Sequence, residues 1–224
     1  MADATIFVTG TDTGVGKTRI ACALLQRLRA QSGTAAGFKP VASGARRTPQ
    51  GLRNDDALEL LAHSTPGLDY AAVNPCCFEP PIAPHLAARE AGMEIDCAVL
   101  DAAHARLAAG HRHVVVEGAG GWLVPLNSRQ TFADWVAERG WPVLLVVAVR
   151  LGCINHALLS AEAIERRCRL FGWVANVIPP APERLQENIE SLRERLPAPL
   201  LATAGAGAEP AAIARIFRGP GLFE

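Results

Sequence analysis

Apolar residues fall along this chain in short continuous runs, separated by longer stretches in which they recur at helical spacing. The runs Thr5–Thr9, Ala35–Lys39, His113–Glu117, Val143–Val149, Trp173–Ile178 and Pro199–Thr203 predict strands. Several are apolar throughout rather than alternating, as parallel strands covered on both faces are. The stretches Lys17–Ala30, Asp55–Ala62, Asp96–Ala109, Phe132–Arg139, Asn155–Cys168 and Glu183–Leu196 predict helices. This alternation implies an α/β fold, an open and mainly parallel sheet with helices on both faces and right-handed crossovers. No repeat or long linker interrupts it, so residues 1–224 are expected to form one domain. The polar segment "SGARRTPQGLRN", Ser43 to Asn54, reads as a mobile surface loop.

In such a sheet, ligands gather beyond the carboxyl ends of the strands. Gly10–Thr18, Lys39–Ser43, Glu117–Gly121, Arg150–Asn155 and Asn176 all fall there.

Composition narrows the function. The formal net charge is zero, which gives no support for a nucleic-acid or acidic-membrane partner. No apolar run reaches the roughly 18 residues of a bilayer span. The start, Met1-Ala2-Asp3-Ala4, does not read as a secretory leader, so a cytoplasmic location is expected. Six cysteines form no C-x-x-C pair and read as reduced thiols. Of 22 basic residues only Lys17 and Lys39 are lysine, and both stand at strand or loop ends. A compact ammonium fits between phosphate oxygens where a planar guanidinium is too wide.

The loop "GTDTGVGKT" ends in Gly16-Lys17-Thr18, yet Thr11 stands where G-x-x-x-x-G-K-[ST] requires its first glycine. Gly14 and Gly16 still let backbone N–H groups turn inward as an anion nest at a helix start. Lys17 can reach β- and γ-phosphate oxygens, and the Thr18 hydroxyl is placed to ligate Mg²⁺. Glu117 ends a hydrophobic strand, where a carboxylate is costly unless it meets a cation. "NDD" (Asn54-Asp55-Asp56) either supplies a second carboxylate or merely caps the next helix. Gly118, Gly120 and Gly121 permit close backbone approach or simply a tight turn. Lys39 either faces the phosphate loop or snorkels at the surface, and Ser43 can donate to an oxyanion. At Gly152–Asn155 free N–H groups can hold a carboxylate, or Asn155 caps its own helix. The histidines show no ligand spacing, so zinc is not expected.

The segments "TGTDTGVGKT", "FKPVASG", "GLRNDDAL", "VNPCCFEPPIAPHLAA", "VVVEGAGGWLVPL", "TFADWV", "VAVRLGCINHALL" and "GWVAN", in this order, resemble the dethiobiotin synthetase family. The resemblance implies a phosphate-loop ATPase fold and an ATP- and Mg²⁺-dependent ligase. Its substrates would be 7,8-diaminononanoate and CO₂, joined through an N-carbamate and a carbamic–phosphoric anhydride. It assigns nucleotide contacts to Gly14, Val15, Gly16, Lys17, Thr18, Arg19, Gly118, Ala119 and Gly120, with adenine read by Asn176. Thr18, Asp56 and Glu117 would surround Mg²⁺. Lys39 and Lys17 would carry the catalytic charges, and Thr13 and Ser43 would contact substrate. The family is a homodimer, and Gly152, Cys153, Ile154 and Asn155 match the segment that takes the substrate carboxylate across the interface.

This chain departs from the family in places. Gly14 stands where glutamate is frequent, Arg150 where lysine sometimes occurs, and "LLATAGAGAEP" lacks a "PW"-like segment beside adenine. Nucleotide contacts are therefore expected to be built differently there, with Ala204–Ala206 and Glu209 as candidates. The competing class is the partition and septum-positioning switch ATPases, whose loop carries a lysine five residues before the loop lysine. Here that position is Asp12, of opposite charge, and the tail "AAIARIFRGPGLFE" is too short and broken for a membrane-binding helix.

Overall fold

The computed structural model describes residues 4–218. The leader reading of residues 1–3 and the end of the tail, 219–224, lie outside them. The elements run β1 (Ala4–Gly10), α1 (Lys17–Ser32), β2 (Ala35–Phe38), β3 (Val41–Ala42), β4 (Arg46–Thr48), β5 (Gly51–Arg53), α2 (Asp55–His63), α3 (Tyr70–Val73), β6 (Cys76–Cys77) and α4 (Pro84–Glu90). They continue with α5 (Cys97–Gly110), β7 (His113–Glu117), α6 (Phe132–Ala137), β8 (Val143–Ala148), α7 (Cys153–Glu165), β9 (Leu170–Asn176), α8 (Leu185–Arg195), β10 (Leu200–Ala204) and α9 (Pro210–Ile216).

The main sheet has the order β10-β9-β8-β1-β7-β2, with every pairing parallel. All six residues of β8 and all seven of β9 are buried, which is why their sequences run apolar instead of alternating. Successive residues of β1 serve two cores. Phe7 packs with Trp122 and Phe132 in a cluster fed by α5, α6, α7 and α8. Ile6 and Val8 pack with Ile20, Leu24 and Leu25 of α1 in a second cluster that includes Ile213 of α9. The chain leaves β1 towards β2 and β7 on one side and β8, β9 and β10 on the other. The carboxyl end of β1 is thus the reversal point where a crevice opens.

All six expected strands form the sheet. The fifth is displaced: it begins at Leu170 and ends at Asn176, because the Val143↔Leu170 pairing starts it earlier. The segment expected as a mobile surface loop contains an antiparallel hairpin, β4 with β5, in register from Arg46↔Arg53 to Thr48↔Gly51. Arg47 at its root bonds Glu79. The short pair β3–β6 and the helices α3, α4 and α9 fall in stretches too brief for periodicity to mark. Among the described residues, no helix is long and apolar enough to cross a membrane.

Candidate active site

The phosphate-loop segment passes from β1 to α1 through Gly14 and Gly16, whose φ of 73° and 89° favour glycine. Gly16 is also hemmed in, since a Cβ there would lie 2.2 Å from Asn176 Nδ2. Helix α1 starts with no side-chain cap and no acidic residue in its first turn. Its first N–H groups and positive dipole end are therefore available to an anion.

Beyond this loop lies a cleft of about 580 Å³. Thr13, Gly14, Gly16, Lys17, Thr18, Lys39, Ser43, Asp56, Glu117, Ala119 and Gly120, all singled out in the sequence, line it. Both lysines are buried. Lys17 Nζ donates to the Asp12 carbonyl at 3.0 Å. Burial, and then the nearby Lys39 charge, lower its pKa to about 8.

Lys39 follows the end of β2 and is not a snorkelling surface lysine. Its ammonium donates to Glu117 Oε1 at 2.6 Å, Asp56 Oδ2 at 2.9 Å and the Gly118 carbonyl at 3.2 Å. Burial opposes its charge, but Glu117 and Asp56 outweigh burial and hold its pKa above the usual lysine value. Burial likewise pushes the Glu117 carboxyl up, against the pull of Lys39. For Asp56, burial favours protonation, yet Lys39 keeps the carboxyl below its ordinary value.

The helix-cap alternative at "NDD" resolves onto Asn54, whose Oδ1 accepts from Ala57 N at 3.2 Å. Asp56 is left free to face the cleft. Gly37 of β2 allows α2 that close, because a Cβ there would lie 2.8 Å from Leu60 Cβ. Thr18 Oγ1 donates to Glu117 Oε1 at 2.9 Å, while Glu117 Oε2 is buried without a partner among the described residues. Thr18, Asp56 and Glu117 form an all-oxygen donor set, which suits a hard divalent cation. The orphaned Oε2 is the atom such a cation would satisfy.

Not every singled-out residue faces the cleft. Val15 is buried beneath the loop, and its carbonyl accepts from Asn176 Nδ2 at 2.7 Å. Arg19 donates to Asn176 Oδ1 and reaches the Ala208 carbonyl at 3.5 Å. Gly152, Cys153, Ile154 and Asn155 lie at the start of α7 and do not line the cleft. Gly152, in the left-handed region at φ 88°, is the N-cap there, so Asn155 does not cap the helix. Arg150 bonds Asp12 at 2.9 Å.

Sequence reasoning gave no cleft role to Val124 or to the Pro81–Pro84 wall, and it read Asn54 only as part of a carboxylate-or-cap segment. It also missed a relay behind Lys39. Tyr70 Oη accepts from Asn54 N and donates to Asn74 Oδ1, each at 2.8 Å, and Asn74 Nδ2 donates to the Lys39 carbonyl at 2.6 Å. Tyr70 is the chain's single tyrosine, which was the available signal.

A family model described as an AAA domain matches residues 4–204. The chain is 56% identical over 212 residues to the ATP-dependent dethiobiotin synthetase BioD of Pseudomonas paraeruginosa, covering 93% of each. It is 50% identical over 196 residues to BioD 1 of Escherichia coli K12, covering 87% of each. This chain belongs to the dethiobiotin synthetase family. A ParA family ATPase from Chlorobium tepidum superposes with a TM-score of 0.56 at 13% identity, over 90% of this chain and 84% of that one. That likeness concerns the phosphate-loop fold and says nothing of activity.

Proposed function

We propose that the protein is an ATP-dependent dethiobiotin synthetase, acting as one domain over its whole length. It joins 7,8-diaminononanoate and CO₂ at the expense of ATP, giving dethiobiotin, ADP and phosphate. The observation that carries this reading is 56% identity across 93% of a BioD chain, in a protein whose cleft gathers both of its lysines.

One amine takes up CO₂ as a carbamate, losing a proton. A carbamate oxygen then attacks the γ-phosphorus and ADP leaves, forming a carbamic–phosphoric anhydride. The second amine attacks the carbamoyl carbon, phosphate departs and the ureido ring closes. Carbamate and amine are the nucleophiles, so the site needs no nucleophilic side chain. Its work is positioning and charge stabilisation. The Gly14–Thr18 loop and Lys17 hold the phosphates; Thr13 and Ser43, across the cleft, orient the substrate; Lys39 serves the carbamate and the transferring phosphoryl group. Thr18, Asp56 and Glu117 would hold Mg²⁺, which when bound neutralises charge on the phosphate oxygens.

Asn176, with Arg19, meets the base. That Gly152–Asn155 do not line the cleft fits a homodimer in which a second copy supplies the carboxylate-binding helix start. Leu151 and Leu159 beside it are exposed apolar side chains, as an interface requires. The chain is read as a cytoplasmic enzyme. The test is phosphate release under CO₂ with and without 7,8-diaminononanoate. Release that depends on both substrates supports the synthetase, whereas ATP turnover indifferent to both favours a partition-type switch ATPase.

A further inference from the structure

An ammonium carries three donors, and those of Lys39 are all spent on protein: Glu117, Asp56 and the Gly118 carbonyl. Held this way, Lys39 has no N–H left for a substrate. Two of its acceptors are the carboxylates that, with Thr18, form the oxygen donor set of the cleft. A monovalent ammonium and a divalent cation cannot share those oxygens without strong repulsion. The doubly charged ion, binding the same oxygens at shorter range, has the advantage.

We infer that the Lys39 ammonium is a place-holder in the cation position between Glu117 and Asp56, expelled into the cleft when a divalent cation arrives with nucleotide. The inference rests on the proposed reading, in which phosphates and a metal occupy this cleft. Only the side chain moves. The Lys39 backbone is pinned on both sides, N–H to the Val73 carbonyl at 2.8 Å and carbonyl to Asn74 at 2.6 Å. Pro40 stiffens the exit. The freed ammonium stays among the lining groups of the same cleft, which include Thr13, Ser43 and Gly120. Two consequences follow. Glu117, fully buried, is never left without a cation. Lys39 is delivered to the reacting oxygens only after metal and nucleotide are in place.

Because Lys17 and Lys39 are the only lysines, protein labelled with ¹³Cε,¹⁵Nζ-lysine gives two side-chain signals. A Lys17→Arg sample assigns them. The probe is β,γ-methylene-ATP, first with EDTA and then with excess Mg²⁺. The expected result is that nucleotide alone shifts Lys17 and leaves Lys39 in place. Mg²⁺ then shifts Lys39 and abolishes the slowly exchanging NζH cross-peak that its buried hydrogen bonds protect. A Lys39 signal unmoved by Mg²⁺, or moved fully by nucleotide without metal, overturns the inference while leaving nucleotide binding intact. If neither lysine responds to any addition, the nucleotide reading of the cleft fails with it.

Discussion

Asn176 at the end of β9 and Arg19 in the first turn of α1 are joined side chain to side chain, the guanidinium donating to the amide oxygen. The other half of the amide donates to Val15 O at 2.7 Å, so the oxygen and the nitrogen of Asn176 each already hold one partner. A base at this position would meet the Arg19 guanidinium beside the amide. Arg19→Ala frees the amide for an adenine edge and should alter selectivity among ATP, CTP and GTP. A charge-assisted hydrogen bond is worth about 1.5–3 kcal/mol, so the ratio of nucleotide affinities should change by about tenfold or more. Competitive binding of the three nucleotides measures it, and identical ratios in both proteins would exclude Arg19 from base selection.

The Lys39–Glu117 pair also bears on folding. Deleting one partner of a buried pair costs about 3–5 kcal/mol. Lys39→Met should therefore lower Tm by roughly 10 °C at pH 8, besides impairing turnover. Its pH dependence is opposite to ordinary acid denaturation. Without the ammonium, Glu117 keeps the upward push of burial and titrates higher in the folded than in the unfolded state. The variant's stability relative to the native chain should be greatest in acid and fall as pH rises through the folded pKa of Glu117. Adding Glu117→Gln should flatten that dependence. Thermal melts across pH for the three proteins test it, and a deficit independent of pH would contradict it.

Much of this arrangement was legible from residue order because parallel strands place their carboxyl ends on one edge. Lys17, Lys39 and Glu117 each follow or end an apolar run, so reading the runs was enough to bring them together. Family resemblance then assigned chemistry that spacing alone left open, as at Asp56, where Asn54 turned out to be the cap. What escaped reading depended on contacts distant in sequence. The Tyr70–Asn74 support of Lys39 and the docking of Arg19 on Asn176 have no periodic signature. The hairpin β4–β5 escaped for another reason: its two strands have three residues each, and their polar composition marks only a turn.

Lys17 should make nucleotide binding proton-linked. Burial first, and Lys39 second, bring its pKa to about 8, whereas bound phosphates favour its charged form. Binding at pH 8 should take up about half a proton, falling towards zero at pH 6 where Lys17 is already charged. Affinity should decline as pH rises above 8. Calorimetry in buffers of different ionisation enthalpy reads the uptake directly. Uptake that persists unchanged in Lys17→Arg would assign the proton to another group.

The same lysine tests whether compactness or charge is what the loop requires. Lys17 is buried, its Cγ would lie 3.2 Å from a Cβ added at Gly10, and its Nζ is held by the Asp12 carbonyl. Arginine keeps the charge but brings a planar fork into a space shaped for a tetrahedral ammonium. Lys17→Arg should weaken nucleotide binding by about tenfold or more, equivalent to ~1.4 kcal/mol. Lys17→Met, which removes charge and keeps the stem, should weaken it further at pH 7 than at pH 9.5, where native Lys17 is itself mostly neutral. Equilibrium titration of both variants at the two pH values separates shape from charge. An unchanged Kd in Lys17→Arg would mean that any cation suffices here, leaving the exclusion of arginine from positions 17 and 39 without a physical cause in the phosphate site.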